Sequence, residues 1–127
     1  MAPEQLSYSR NHEWCRLDGE IATVGVTPHA LKGLGNLVAI ELPDEGDDVL
    51  YEVPVAEIEG TRDSREVYSL VDGVVSEVNG AVAHNPELLV TDPYEKGWLV
   101  RVKFLPESHR AEMLSASEYQ EMVRRSR

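Results

Sequence analysis

Apolar and polar residues alternate in short runs along most of this chain, and Gly, Pro, Asn and Asp break the runs at a spacing that predicts strands more than helices. In CRLDGEIATVGV (15–26), Asp18-Gly19 stands between two such runs. Asp-Gly readily takes the backbone angles of a tight hairpin turn, so two antiparallel strands are expected. In VTPHALKGLG (26–35), Thr27 suits a helix N-cap, Pro28 the first helical position, and Gly33 or Gly35 the end of a helix of one or two turns. NLVAIEL (36–42) then reads as a strand, PDEGDD (43–48) as a turn, and YEVPVAEI (51–58) as a strand. Pro54 has no amide proton to donate, which predicts an edge or a bulge.

A polar segment separates Ile58 from Val67, and Arg62 lies at its middle, so the two flanking runs predict a projecting, hairpin-like loop. VYSLVDGVVSEVNG (67–80) again sets Asp-Gly between apolar runs, which predicts a further hairpin. HNPELLVTDPY (84–94) reads as a connection with about one helical turn. WLVRVKF (98–104) alternates Trp98, Val100, Val102 and Phe104 against Leu99, Arg101 and Lys103, the pattern of a half-buried strand. In SASEYQEMVRR (115–125), Ser115 and Glu118 form a capping box ahead of Tyr119, Met122 and Val123 at helical spacing, with arginines in the last turn.

Composition narrows this to one domain, residues 1–127, with 42% hydrophobic residues to fill one modest core. No apolar run approaches the roughly 20 residues of a membrane span, and the N-terminus lacks an apolar signal region. The expectation is a cytoplasmic protein, or one of an organelle matrix if a targeting segment has been removed. A net charge of -11 disfavours nucleic acid and anionic membranes as partners. Residues 41–66 hold ten acids against two bases, -8 of that total, so a partner docking there offers a basic surface.

Cys15 is alone, which excludes an internal disulfide and a metal–thiolate cluster. His12, Cys15, His29, His84 and His109 form no ligand pair at zinc spacing, and neither a Gly-x-Ser-x-Gly elbow nor a phosphate loop occurs. No metal site and no catalytic residue is expected.

HEW (12–14), GVTPHA (25–30), LGNLVAIELPDEGD (34–47), VYSLVDGVVSEVN (67–79), PELL (86–89) and DPYEKGWLVRVK (92–103) together resemble the H protein of the glycine cleavage system. That family is a small carrier whose lipoyl-lysine shuttles an aminomethyl group between the other components. The resemblance implies a mainly β, lipoyl-domain-like fold: a flattened β-barrel or barrel-sandwich hybrid with short helices and a C-terminal helix. It also implies a non-enzymatic protein whose partners are the glycine-cleavage decarboxylase and aminomethyltransferase, or a lipoate ligase or transferase.

Aligned through Glu59, Tyr68 and Ser69, the family's acceptor lysine falls on Arg62. A guanidinium stays protonated and is a poor nucleophile, so Arg62 is expected to be unmodified and no cofactor is expected. Lipoate would be covalent only if another lysine, Lys32, Lys96 or Lys103, served in a genuine carrier. The family's aminomethyl-sheltering cleft falls on Asn11, Glu13, Thr27, His29 and Glu66. Arg62 is expected either to lie over that cleft, paired with Glu66 or Glu13, or to point outward as a docking contact.

Overall fold

The computed structural model describes residues 2–51, 53–105 and 113–125. Among these, nine strands form two antiparallel sheets. The larger sheet runs in the order β1 (Ser7–Tyr8), β2 (Glu13–Asp18), β3 (Ile21–Val26), β9 (Val100–Phe104), β8 (Gly73–Val78), β5 (Asp48–Val49). The smaller one has β6 (Pro54–Gly60) between β4 (Leu37–Glu41) and β7 (Ser64–Tyr68). A 3-10 turn covers Pro28–Leu31, and three helices follow: α1 (Gly80–His84), α2 (Leu88–Thr91) and α3 (Ala116–Arg125).

Alternation explains how the sheets face each other. Ala22, Val24 and Val26 of β3, Val100, Val102 and Phe104 of β9 and Val75 of β8 meet Ile40 of β4, Ala56 and Ile58 of β6 and Val67 of β7 in one core. Trp14 points to the opposite face of the larger sheet. There it gathers Ala2, Leu6, Tyr8, Ala116 and Tyr119 into a second cluster that fastens the N-terminal segment and α3 to the sheet.

The first hairpin forms as expected but turns one residue later. Asp18 pairs with Ile21, so the corner is Gly19-Glu20, with Gly19 at φ 63° supplying the left-handed conformation. Pro54 opens β6 where the register with β7 shifts, so its missing amide breaks no regular ladder. The capping box on α3 is reciprocal: Ser115 N donates to Glu118 Oε1 at 2.9 Å and Glu118 N to Ser115 Oγ at 3.2 Å.

Asp72-Gly73 does not make a hairpin. β7 pairs with β6, whereas β8 pairs with β9 and β5, so residues 69–72 carry the chain from one sheet to the other. Leu70 and Val71 are buried in the core during the crossing, and the Asp72 carboxylate accepts from Tyr51 N at 2.6 Å. The local turn preference is overruled because burying those two apolar residues requires a passage through the interior. Trp98 also departs from its expected face. β9 begins at Val100, Leu99 is fully buried, and the Trp98 ring lies in the second cluster with the Arg101 guanidinium 4.0 Å from its centroid. α1 has no signal in the apolar pattern; Asn79 secures it, accepting from Ala81 N and donating to Lys96 O and Trp98 O. Among the described residues, no helix is long and apolar enough to cross a membrane.

Candidate functional site

The polar segment around Arg62 is a tight hairpin in place of a long loop, because β6 continues to Gly60 and β7 starts at Ser64. Gly60 N donates to Asp63 O at 2.9 Å, leaving Thr61 and Arg62 at the corner. The corner is stitched to the preceding 34–36 segment: Arg62 N donates to Leu34 O and Thr61 N to Asn36 O, each at 2.9 Å, while Asn36 N donates to Thr61 Oγ1 at 3.1 Å. A Cβ at position 60 would run into the Leu34 carbonyl, so only glycine permits this approach. The result is a fixed backbone that holds an exposed Arg62 side chain. Among the described residues Arg62 forms no ion pair, and neither Glu13 nor Glu66 is its partner.

The cation that reaches the expected cleft is Arg65. It lies on the same face of β7 as Val67, and its Nη2 donates to Asn11 O at 2.9 Å and contacts Asn11 Oδ1 at 3.4 Å. Asn11 in turn donates through Nδ2 to Glu13 Oε2 at 2.9 Å. Glu13 is 2% exposed at the head of β2, and it ties the two sheets together by accepting from Ser9 Oγ at 2.8 Å and from Tyr68 N of β7 at 2.8 Å. Burial pushes its carboxyl above the usual range, while the Tyr68 amide, Ser9, Asn11 and the Arg65 charge pull the other way.

Thr27 precedes the 3-10 turn, but its side chain makes no cap bond. Its Oγ1 is instead 2.5 Å from Tyr119 Oη, which is also 2.8 Å from His12 Nδ1. The reason is geometric: α3 buries Tyr119 against the turn, and a buried phenol takes the nearest polar partners. The His12 ring packs against His29 with centroids 4.4 Å apart and the planes tilted by 38°. His12 itself sits at φ 70°, the single left-handed residue other than glycine among those described, held by His12 N to Ser9 O and Thr27 N to His12 O. Burial, with His29 and Arg65 nearby, lowers the His12 pKa to about 4; burial, Lys32 and Arg65 lower that of His29.

Asn11 and Glu13 thus share one network with Ser9, Arg65 and Tyr68, Thr27 and His29 meet Tyr119 and His12 in an adjacent one, and Glu66 joins neither. Glu66 faces the other side of the smaller sheet, accepts from Tyr68 Oη at 3.1 Å, and lines a separate open cleft of about 250 Å3 with Glu41 and Glu57. Period-two alternation sends residue 66 away from the face that carries 65 and 67. Sequence reasoning missed Arg65, His12, Tyr119 and Ser9. The parity of Arg65 with Val67 was a readable signal; Tyr119 belonged to the apolar stripe of α3, and nothing local marks its hydroxyl as a partner of residue 27. Among the described residues, no group of three His, Cys, Asp or Glu could hold a metal ion.

A family model for the glycine cleavage H-protein matches residues 6–126. The glycine cleavage system H protein of Staphylococcus carnosus is 39% identical over 121 residues, 95% of this chain and 96% of that one. That of Rubrobacter xylanophilus is 43% identical over 117 residues, 92% of this chain and 90% of the other. A crystal structure of a glycine cleavage system H protein from Mycobacterium marinum superposes with a TM-score of 0.87 at 34% identity, covering 96% of this chain and 98% of that one.

Proposed function

Since the chain belongs to the glycine cleavage H-protein family, whose members are carriers and not enzymes, we propose that it is an armless member: a single unit that works by binding glycine-cleavage or lipoate-handling enzymes without carrying lipoate itself. The observation that carries the reading is Arg62. It stands on the rigid hairpin corner at the position that the resemblance gives to the acceptor lysine. Amide formation needs a neutral amine, and a guanidinium, which stays protonated, offers none. The residues present do not fit a covalent lipoyl group at that corner.

Arg65 supports the same reading. Its guanidinium holds the Asn11 backbone beside Glu13, in the region where the family shelters a loaded arm. A cation built into the chain leaves less room and less unmet negative charge for an amine there. The fixed corner favours partners that recognise shape, because a pre-organised hairpin loses little conformational entropy on docking.

One observation favours a second reading, a carrier loaded on Lys32. Lys32 is exposed and lies two residues before Leu34, whose carbonyl accepts from Arg62 N, whereas Lys96 lies in the turn after α2 and Lys103 on β9. Intact-protein mass spectrometry after incubation with lipoate, ATP and a lipoate-protein ligase separates the two. The armless reading expects added mass on Arg62→Lys and none on the native chain. Lipoyl mass on the native chain would refute it, and loss of that mass in Lys32→Arg would establish Lys32 as the acceptor.

A further inference from the structure

In a chain of net charge -11, basic side chains are expected to find carboxylates. Among the described residues several form no ion pair, and four of these lie together. The His12 ring packs at a tilt against His29, centroids 4.4 Å apart; Lys32 caps the same turn that carries His29, its N donating to His29 O at 3.3 Å; and Arg65 is anchored on Asn11, the residue before His12. The nearby carboxylate, Glu13, already has three donors, namely Ser9, Asn11 and the Tyr68 amide. His12 is moreover held in a left-handed conformation that costs free energy, a form of strain that collects at functional sites.

We propose that His12, His29, Lys32 and Arg65 form a binding site for a small free oxyanion such as a carboxylate or a tetrahedral oxyanion. Arg65 supplies a planar donor fork, Lys32 a mobile charge at the rim, and the histidines N–H donors that become cationic when the anion arrives. Of the four, His29 lines an open cleft of about 270 Å3, with Thr27, Pro28, Tyr94, Tyr119 and Arg124 among its walls. The site does not depend on whether any lysine is lipoylated.

The proposal carries a pH signature. The groups facing the histidines are Glu13 from β2, Arg65 from β7, Tyr119 from α3 and Lys32 beside the turn, with Tyr94 and Arg124 across the cleft. Without an anion, burial, the neighbouring ring and Arg65 disfavour a charge on His12, and burial, Lys32 and Arg65 disfavour one on His29. A bound anion favours the imidazolium form, so binding takes up protons and strengthens as pH falls.

The test is imidazole-region proton–nitrogen NMR of the full chain titrated with sodium sulfate and, separately, sodium acetate, with ionic strength held constant by chloride. Saturable shifts of His12 and His29 are expected for at least one of the two anions, with a dissociation constant on the order of millimolar that is lower at pH 5.5 than at pH 7.5. Arg65→Gln should weaken binding about tenfold and Lys32→Gln less, while Arg101→Gln on β9 leaves it unchanged. The exposed Lys32 variant decides the matter if Arg65→Gln fails to fold. Unsaturable shifts with both anions, or binding indifferent to both Arg65→Gln and Lys32→Gln, would overturn the proposal.

Discussion

Tyr119→Phe removes one oxygen and leaves the ring in place. The stack on Tyr8, centroids 4.9 Å apart and nearly parallel, and the edge contact with His12 both survive the change. What disappears is the hydroxyl between Thr27 Oγ1 and His12 Nδ1. Thr27 is 1% exposed, so water does not replace the lost partner, and an unsatisfied buried hydroxyl costs about 1–3 kcal/mol. His12 is half-buried and adds less. A loss of about 2 kcal/mol is expected, which for a domain of this size lowers Tm by roughly 6–10 °C. Urea unfolding followed through the buried Trp14 measures it, and the slope of the transition should not change. The decisive comparison is a double-mutant cycle with Thr27→Val. Because the penalty comes from an orphaned group, the second substitution should cost less in the Tyr119→Phe background than in the native chain, with a coupling of about 1 kcal/mol. Strictly additive losses would refute the reasoning and leave α3 held by apolar contact alone.

Acidification provides a second prediction. The folded-state pKa values of His12 and His29 lie below 6.5, so they contribute stability that is present above about pH 6.5 and lost as pH falls, for His12 through about 4. Glu13, raised above its unfolded value, acts in the opposite sense and gains as pH falls toward its unfolded range. His12→Asn, which tolerates the left-handed conformation, should flatten the fall in stability between pH 6.5 and 4.5 by about 1 kcal/mol after allowance for solvent screening; an unchanged profile would count against it. Gly60→Ala forces the hairpin corner off Leu34 and should cost about 2–3 kcal/mol, with the Thr61 and Arg62 amides losing protection from hydrogen exchange. Native-like exchange at those two amides would mean that the corner is not fixed by the 34–36 segment.

The sequence by itself determined the elements whose causes are local. Strand periodicity, the Gly19 hairpin, the capping box of Ser115 and Glu118 and the bulge at Pro54 all rest on interactions within a few residues, so their signals stand in the chain itself. The family was also legible, because its motifs run through nearly the whole length. The partition of strands between two sheets was decided only by tertiary structure, since it turns on which apolar faces are buried together; the crossing at 69–72 reads locally as a hairpin until Leu70 and Val71 are placed in the core. The candidate site shows the same division. Asn11, Glu13, Thr27, His29 and Glu66 were expected from the resemblance, but that Glu66 faces away and that Arg65 in place of Arg62 stands beside Asn11 follows from strand pairing and parity. Tyr119 bonds Thr27 across 92 residues of sequence, and contacts at that separation exist only once α3 has packed on the sheet.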